Sequence, residues 1–400
     1  MRIVCDAAVP WAREAFGGFG DLELRPGPGI DAAVLRDADA LVVRTVTRVD
    51  ARLLASSRVT FVGTATAGVD HVDLRWLAQR GITFASAAGC NATAVAEYVL
   101  TALHLVALER DRDLVTGPVG IVGFGQVGRR LAVRLRAIGA EVLVCDPPLL
   151  EQRERGEAIA GPWPELVAAE PFVAWPELLR RARVLSLHVP LVDGRRHPTR
   201  RLLDAAALEE LRSGTVVVNT SRGGVIDEAA LVPWLGEGGL AVLDVFADEP
   251  EVLPALLEPK SGVRLATPHI AGYTVEGKLR GTTLVAEALA RFAGVPLRWD
   301  GASVLGRRAT ITAPRKRNGK SASVLAECTA LLRAINPIEA ADLSLRALMD
   351  QPPSVRPALF ERLRAEYVLR RELDHFALPA RSLDGPTRTA LAALGLAPPP

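Results

Sequence analysis

Two doubly wound α/β units with parallel sheets, followed by a smaller α+β module, are what the sequence predicts for this 400-residue chain. Short runs of Val, Ile and Leu alternate with helical patterns almost to residue 300. That alternation belongs to parallel strands buried on both faces and joined by helical crossovers. The rhythm restarts near residue 118. It stops after residue 300, where a polar, basic stretch precedes a last set of helical periods. At about 100–200 residues per domain, the length also calls for two or three domains.

In the first ninety residues the strand-like runs are 2–5, 22–25, 40–44, 59–63 and 82–85. Ala92 to Arg112 then carries Val95, Val99, Leu103 and Val106 at helical spacing and reads as a helix linking the units. The second unit's strands are Val119–Val122, Val142–Cys145, Val184–Leu187, Thr215–Val218, Leu240–Leu243 and Val263–Leu265. Val275 to Phe292 mirrors the linking helix and returns the chain to the first unit. Residues 151–173, rich in Pro, Glu and Ala, read as a surface excursion. Residues 301–323 carry Arg307, Arg308, Arg315, Lys316, Arg317 and Lys320 and read as a linker or exposed loop. From 324 onward Phe360, Leu363 and Tyr367 keep helical spacing, and the tail Pro398-Pro399-Pro400 is expected to fray.

Composition removes several classes of function. Hydrophobic residues at 49% and charged ones at 24% exclude a mainly disordered chain. A net charge of +2 is too balanced for a protein that grips nucleic acid along its surface, and the basic run after 300 has no stacking aromatics interleaved. The four cysteines are widely spaced with no CxxC, which argues against a disulfide scaffold or a zinc site, and no metal is expected. Met1-Arg2-Ile3-Val4-Cys5-Asp6 reads as a strand rather than a signal peptide. The most apolar stretch, Ala94 to Leu108, carries Glu97 and His104 and is shorter than the ~20 residues of a membrane span. A cytoplasmic protein without a membrane partner is expected.

The clearest motif is Gly123-Phe-Gly125-Gln126-Val127-Gly128, between the strand Val119–Val122 and a helical run. Gly123 permits the tight turn, Gly125 lets the backbone approach a pyrophosphate, and Gly128 lets helix and strand pack closely. The helix N-terminus offers N–H groups to the phosphates. Asp146 ends the next strand, eighteen residues past Gly128. An acid there accepts the ribose hydroxyls and repels a 2′-phosphate, which favours NAD. Standing before Pro147-Pro148, Asp146 could instead serve as the cap of a turn, the lesser reading.

Three later segments carry polar residues where parallel strands end. Asn219-Thr220-Ser221-Arg222-Gly223 places an arginine able to fork onto a carboxylate, if it is not simply at the surface. Thr267-Pro268-His269 places a histidine for proton transfer at neutral pH, if it is not a structural one. Asp244 and Glu249 are candidates for the carboxylate that holds it, with Glu249 the proposed partner. A nicotinamide site, an arginine and an acid-assisted histidine together imply oxidation of a hydroxyl next to a carboxylate: hydride leaves the carbon while His269 takes the proton.

Taken in order, Gly123-x-Gly125-x-x-Gly128 with Asp146, then Asn-Thr-Ser-Arg222-Gly, Leu-Asp244-Val-Phe-x-x-Glu249-Pro and Thr-Pro-His269-Ile-x-Gly resemble the D-isomer-specific 2-hydroxyacid dehydrogenases. The resemblance covers roughly residues 90 to 280. It implies a flavodoxin-like substrate-binding domain over 1–92 with 281–300, and a Rossmann NAD domain over 93–280. Residues 301–323 are read as the linker from their own composition, and a closer resemblance, to one branch of the family, implies a dimerisation domain over 324–400. Carried over motif by motif, Arg222, Glu249 and His269 fall on catalytic positions. Gly123, Gly125, Gln126, Val127, Gly128, Asp146, Thr220, Ser221, Asp244 and Gly272 fall on NAD-contacting positions. Val189 stands where the family tends to have a hydroxyl residue.

Further motifs resemble one branch of that family: Val43-Arg44-Thr45, the stretch Phe61 to Asp73, Gly89-Cys90-Asn91, and Tyr273-Thr274-x-Glu276-Gly277-Lys278. The branch implies a homodimer that oxidises 4-phospho-D-erythronate with NAD in pyridoxal phosphate biosynthesis. Thr45, Thr66 and Tyr273 fall on its substrate positions, Thr45 where a serine is usual, and Tyr273 is open to a mere packing role. The substrate phosphate needs cationic or N–H donors. Arg44 is a candidate, as are C-terminal arginines reaching across a dimer, although surface salt bridges account equally for Arg364, Arg370 and Arg371. Two alternatives stay open: a dehydrogenase for 3-phosphoglycerate or glycerate, and an NAD-sensing protein without turnover.

Overall fold

The computed structural model describes residues 1–109, 113–194, 196–311, 323–378 and 383–396. Arg315, Lys316, Arg317 and Lys320 of the expected linker, and the Pro398–Pro400 tail, lie outside the described residues. The chain divides into two compact units, Met1–Thr93 with Tyr273–Arg307, and Ala94–Gly272 with Arg308–Pro400.

The first unit is built on β1 (Arg2–Asp6), β2 (Asp21–Arg25), β3 (Ala40–Val43), β4 (Phe61–Thr64) and β5 (Thr83–Ser86). Their order is β2-β1-β3-β4-β5 with every pair parallel, the flavodoxin-like order. Consecutive strand residues point to opposite faces. Ile3, Val42 and Phe61 therefore pack with Val285 and Leu289, while Val4, Leu41 and Val62 pack with Leu35, Leu54 and Leu77. The Val275–Ala293 helix supplies the first of those layers, so the unit boundary falls at 272/273, ahead of the helix. The expected boundary at 281 would cut through a helix whose buried face runs on from Glu276 and Gly277 to Leu289 and Ala290.

In the second unit β6 (Val119–Val122), β7 (Val142–Cys145), β8 (Val184–Leu187), β9 (Val216–Asn219), β10 (Leu240–Leu243) and β11 (Val263–Ala266) form one parallel sheet. Its order is β7-β6-β8-β9-β10-β11. The connections diverge between β6 and β8, and the carboxyl ends of strands at such a switch point are where nucleotides bind. The excursion expected over 151–173 is mostly exposed, and parts of it pack against the glycine loop. Arg129, 2% exposed, donates through Nη1 to the carbonyls of Ala160 (3.0 Å) and Pro162 (2.6 Å), and through Nε to that of Phe124 (2.8 Å). The Phe172 ring meets the Phe124 ring edge-on, centroids 6.0 Å apart.

Residues beyond 323 join this second unit instead of forming a separate body. Helix Ile338–Arg346 covers the open edge of β11. Asp342 accepts the Ala266 N–H at 2.7 Å and Arg346 donates to the Val263 carbonyl at 2.8 Å, satisfying ladder groups that an edge strand leaves unpaired. Phe360 packs edge-on against Phe246. Part of the expected linker is ordered as well: β12 (Ala309–Thr310) pairs in parallel with β13 (Phe376–Ala377).

The Ala92–Glu109 helix has the length and mean hydropathy (1.3) of a membrane span, yet 83% of it is buried inside the fold. It is a core helix, closed on one side by the C-terminal segment. Asn336 donates to Thr101 Oγ1 at 3.2 Å, and Thr329 to the His104 carbonyl at 3.4 Å. Burial lowers the pKa of His104.

Candidate active site

The glycine loop follows β6 and opens the Gln126–Ala137 helix. Gly123 has φ +91°, and a Cβ there would stand 2.5 Å from the His188 carbonyl oxygen at the end of β8; a Cβ on Gly128 would stand 2.1 Å from the Gly123 carbonyl oxygen. Both positions require glycine. Above Gly125, by contrast, there is open space. No side chain caps this helix, so its first N–H groups point outward with the positive end of the helix dipole. Gln126 and Val127, in its first turn, are half-buried.

Asp146 carries out two structural tasks at the end of β7. Its Oδ2 accepts the Phe124 N–H at 2.7 Å, and its Oδ1 caps the Pro147–Glu154 helix by accepting the Leu149 N–H at 3.0 Å. Capping and ribose binding are compatible, because each carboxylate oxygen has a second lone pair. Thr220 Oγ1 is buried and has no hydrogen-bond partner among the described residues. Such an orphaned hydroxyl, the open floor over Gly125 and the uncapped helix end together fit a bound dinucleotide.

The loops after β9, β10 and β11 converge on a second cluster. Asn219 shapes the first: Oδ1 accepts the Ser221 N–H (3.1 Å) and hydroxyl (2.8 Å), and Nδ2 donates to the Arg222 carbonyl (2.9 Å). Arg222 is half-buried and donates through Nη1 to the Ser221 carbonyl at 2.8 Å. A Cβ on Gly223 would lie 1.9 Å from the Phe246 carbonyl group, so only glycine lets the Arg222 loop abut the loop that bears Glu249.

His269 Nδ1 lies 2.8 Å from Glu249 Oε2, while Glu249 Oε1 accepts the Phe246 N–H at 2.9 Å. Burial works to raise the Glu249 carboxyl, but the hydrogen bond and charge of His269 outweigh it and hold the group below the usual carboxylate range. The histidine backbone is left-handed, φ 57°, a conformation that a non-glycine residue keeps only when its surroundings impose it.

Asp244, the other candidate partner, does not take the ring. It is buried, and it accepts the Thr267 hydroxyl (2.6 Å) and the Ile270 N–H (2.8 Å) on Oδ1, and the Ala271 N–H (2.9 Å) on Oδ2. It therefore clamps the loop on which His269 and Gly272 stand. Burial pushes its carboxyl up to about 6.

In the first unit the substrate candidates lie after β3 and β4 and before the long helix. Arg44 donates through Nε to the fully buried Asp6 at 3.0 Å, and Thr45 is exposed beside it. Thr66 shares a 2.9 Å hydrogen bond with Thr64. The Lys278 ammonium sits 3.9 Å from the centre of the Tyr273 ring. Val189 lies against the Gly123 turn of the second unit.

Several residues around the site escaped the sequence reading. Glu228 accepts the Ala247 N–H at 2.8 Å and so supports the Glu249 loop. Tyr98 hydrogen-bonds the Thr267 hydroxyl at 2.6 Å from within the core helix. Arg370 is not a surface arginine: at 6% exposure it lies beside Glu97, Nη1 to Oε2 3.4 Å. Long-range contacts of this kind leave no mark in local spacing. Asn219 did carry a signal, as an amide between a buried strand and a glycine-rich turn.

Comparison with known proteins agrees with this geometry. The model of the D-isomer specific 2-hydroxyacid dehydrogenase NAD binding domain matches residues 108–271. The erythronate-4-phosphate dehydrogenase of Chromohalobacter salexigens is 41% identical over 99% of this chain and 98% of its own. That of Escherichia coli (strain ATCC 8739) is 45% identical over 74% of each chain. Among solved structures, a Thermus thermophilus protein superposes with a TM-score of 0.59 at 27% identity, covering 74% of this chain and 99% of its own. The chain belongs to the erythronate-4-phosphate dehydrogenases, within the D-isomer-specific 2-hydroxyacid dehydrogenase family.

Proposed function

We propose that this protein oxidises 4-phospho-D-erythronate to 2-oxo-3-hydroxy-4-phosphobutanoate with NAD, in pyridoxal 5′-phosphate biosynthesis. The contact that carries the reading is His269 Nδ1 against Glu249 Oε2 at 2.8 Å, in a domain of the NAD-binding family. The full-length likeness to erythronate-4-phosphate dehydrogenases supports the choice of substrate.

With the Nδ1 hydrogen bond made to Glu249, Nε2 is the nitrogen that faces the reaction. It takes the proton of the substrate hydroxyl, and the resulting imidazolium is stabilised by the carboxylate. Arg222 pairs with the substrate carboxylate through two N–H groups and stabilises charge on the oxygen losing its proton. NAD, when bound, supplies the hydride acceptor. Gly123, Gly125, Gln126, Val127 and Gly128 would hold its pyrophosphate and Asp146 its ribose. Thr220, Ser221 and Gly272 would line the remainder, with Asp244 beneath them. Thr45, Thr66, Tyr273 and Arg44, in the first unit, are assigned to substrate binding.

The C-terminal segment 324–400 is assigned to homodimer formation, and the protein to the cytoplasm, without nucleic-acid or membrane partners.

The test mixes protein, NAD and a carbonyl trap with 4-phospho-D-erythronate or with 3-phosphoglycerate and follows NADH. The protein is first checked for bound nicotinamide, and a 2-oxo acid is supplied if any is found. Preference for the erythronate phosphate, with kcat about 10²–10⁴-fold lower in His269→Ala, is the expected result. Turnover of phosphoglycerate alone moves the protein to a sister activity. No turnover of either, with NAD bound, makes it a sensor.

A further inference from the structure

One buried arginine meets both places where the chain passes between its compact units. The first unit ends at Thr93 and resumes at Tyr273. Arg370, from the C-terminal segment, donates through Nη2 to the Ala94 carbonyl at 2.6 Å and to the Ala271 carbonyl at 3.1 Å. Its other terminal nitrogen faces Glu97 Oε2, whose second oxygen accepts the Leu373 N–H at 3.1 Å. The donors, the acceptors and Glu97 all belong to the second unit and are buried, and burial pushes the Glu97 carboxyl up to about 8.

The peptide of Ala271 is thus gripped at both ends. Its N–H is held by Asp244 at 2.9 Å and its carbonyl by Arg370 at 3.1 Å. Two residues earlier stands His269 in its left-handed conformation. Strained backbone persists where neighbouring contacts over-determine it. Charged donors on backbone carbonyls in a buried setting are among the stronger such contacts.

We propose that Arg370 is a positioning residue for His269: by tying the Ala94 and Ala271 carbonyls to one guanidinium it fixes the loop that carries the histidine, which makes the C-terminal segment part of the catalytic apparatus. Its kinetic consequence rests on the dehydrogenase reading above; its structural consequence does not.

The test compares wild type with Arg370→Met, which keeps most of the stem and loses the donors, and with Arg370→Lys, which keeps a charged donor. Hydrogen–deuterium exchange at the Ile270 and Ala271 amides is expected to quicken by about tenfold or more in Arg370→Met while the β8 and β9 amides hold their wild-type rates. In NADH formation kcat falls by about tenfold or more with KM changed much less, and Arg370→Lys recovers part of both effects. Uniformly faster exchange across the sheet would reduce Arg370 to a general stabiliser and overturn the proposal. So would unchanged exchange at 270–271 in a folded variant. If Arg370→Met does not fold, Arg370→Lys decides by the same two readouts. Should the wild type itself not turn over the erythronate phosphate, the functional reading fails, while the exchange comparison still judges Arg370.

Discussion

At the scale of single residues, the site depends on a carboxylate kept charged in a half-buried place. Glu249 is held below its ordinary range chiefly by His269, against the opposing effect of burial. A folded-state pKa below the unfolded value of about 4.3 means that Glu249 stabilises the protein above that pH; the contribution is lost as pH falls through the lower folded value. Glu249→Gln removes the charge and leaves one acceptor oxygen where the carboxylate uses two, Oε1 for the Phe246 N–H and Oε2 for the His269 ring. The urea midpoint of wild type is therefore expected to exceed that of Glu249→Gln at pH 6–7, with the gap closing below about pH 4. A gap that stays constant across this range would mean that the pair does not hold the charge as described. Activity in the variant is expected to fall by about 10²-fold or more, since the ring loses the group that fixes its tautomer.

At the scale of elements, the strands were legible because their chemistry is local. Val119–Val122 and Val216–Asn219 are buried along their whole length, and short runs rich in β-branched residues between helical patterns read as such strands. The glycine loop was legible because its spacing between a buried strand and a helical run is a local pattern, although only Gly128 answers to a contact a few residues away, the Gly123 carbonyl, while Gly123 answers to His188 at the end of β8. What escaped was whatever depends on the other end of the chain. The apolar positions chosen in the core helix, Val95, Val99, Leu103 and Val106, suggest one buried stripe. The helix is in fact enclosed on every side, because a segment more than 200 residues later meets its polar members Thr101 and Glu97. The 151–173 segment is largely at the surface, as its composition suggests, but nothing in that composition shows that Arg129 ties it to the nucleotide loop. Loop-to-loop fit is the next level up, and Gly223 measures it. Gly223→Ala drives a methyl into the Phe246 carbonyl group, which backbone must yield to accommodate. An overpacking cost of about 1–3 kcal/mol is expected, read as a lower thermal midpoint, together with reduced kcat as Arg222 is displaced. A variant with wild-type midpoint and rate would show that the two loops do not need this approach.

At the scale of the whole molecule, the C-terminal segment is spent in part inside the second unit, on the edge of β11 and on the core helix. Its outer face is a different matter. Helix Ile338–Arg346 buries Ile338, Asp342 and Leu345 and presents Leu343 at 69% exposure, and Val368 stands at 85%. Single exposed apolar residues are ordinary on soluble proteins, so exposure alone decides nothing. Both belong, however, to the segment that the family resemblance assigns to the dimer, and apolar side chains at the centre of such an interface lose most when made charged. Leu343→Asp and Val368→Asp are expected to shift wild-type dimer toward monomer in sedimentation velocity while leaving the thermal midpoint of the isolated chain little changed, since neither side chain is buried within it. A wild type that sediments as a monomer removes the dimer from the proposal. A dimer indifferent to both changes keeps the assembly but places its interface elsewhere.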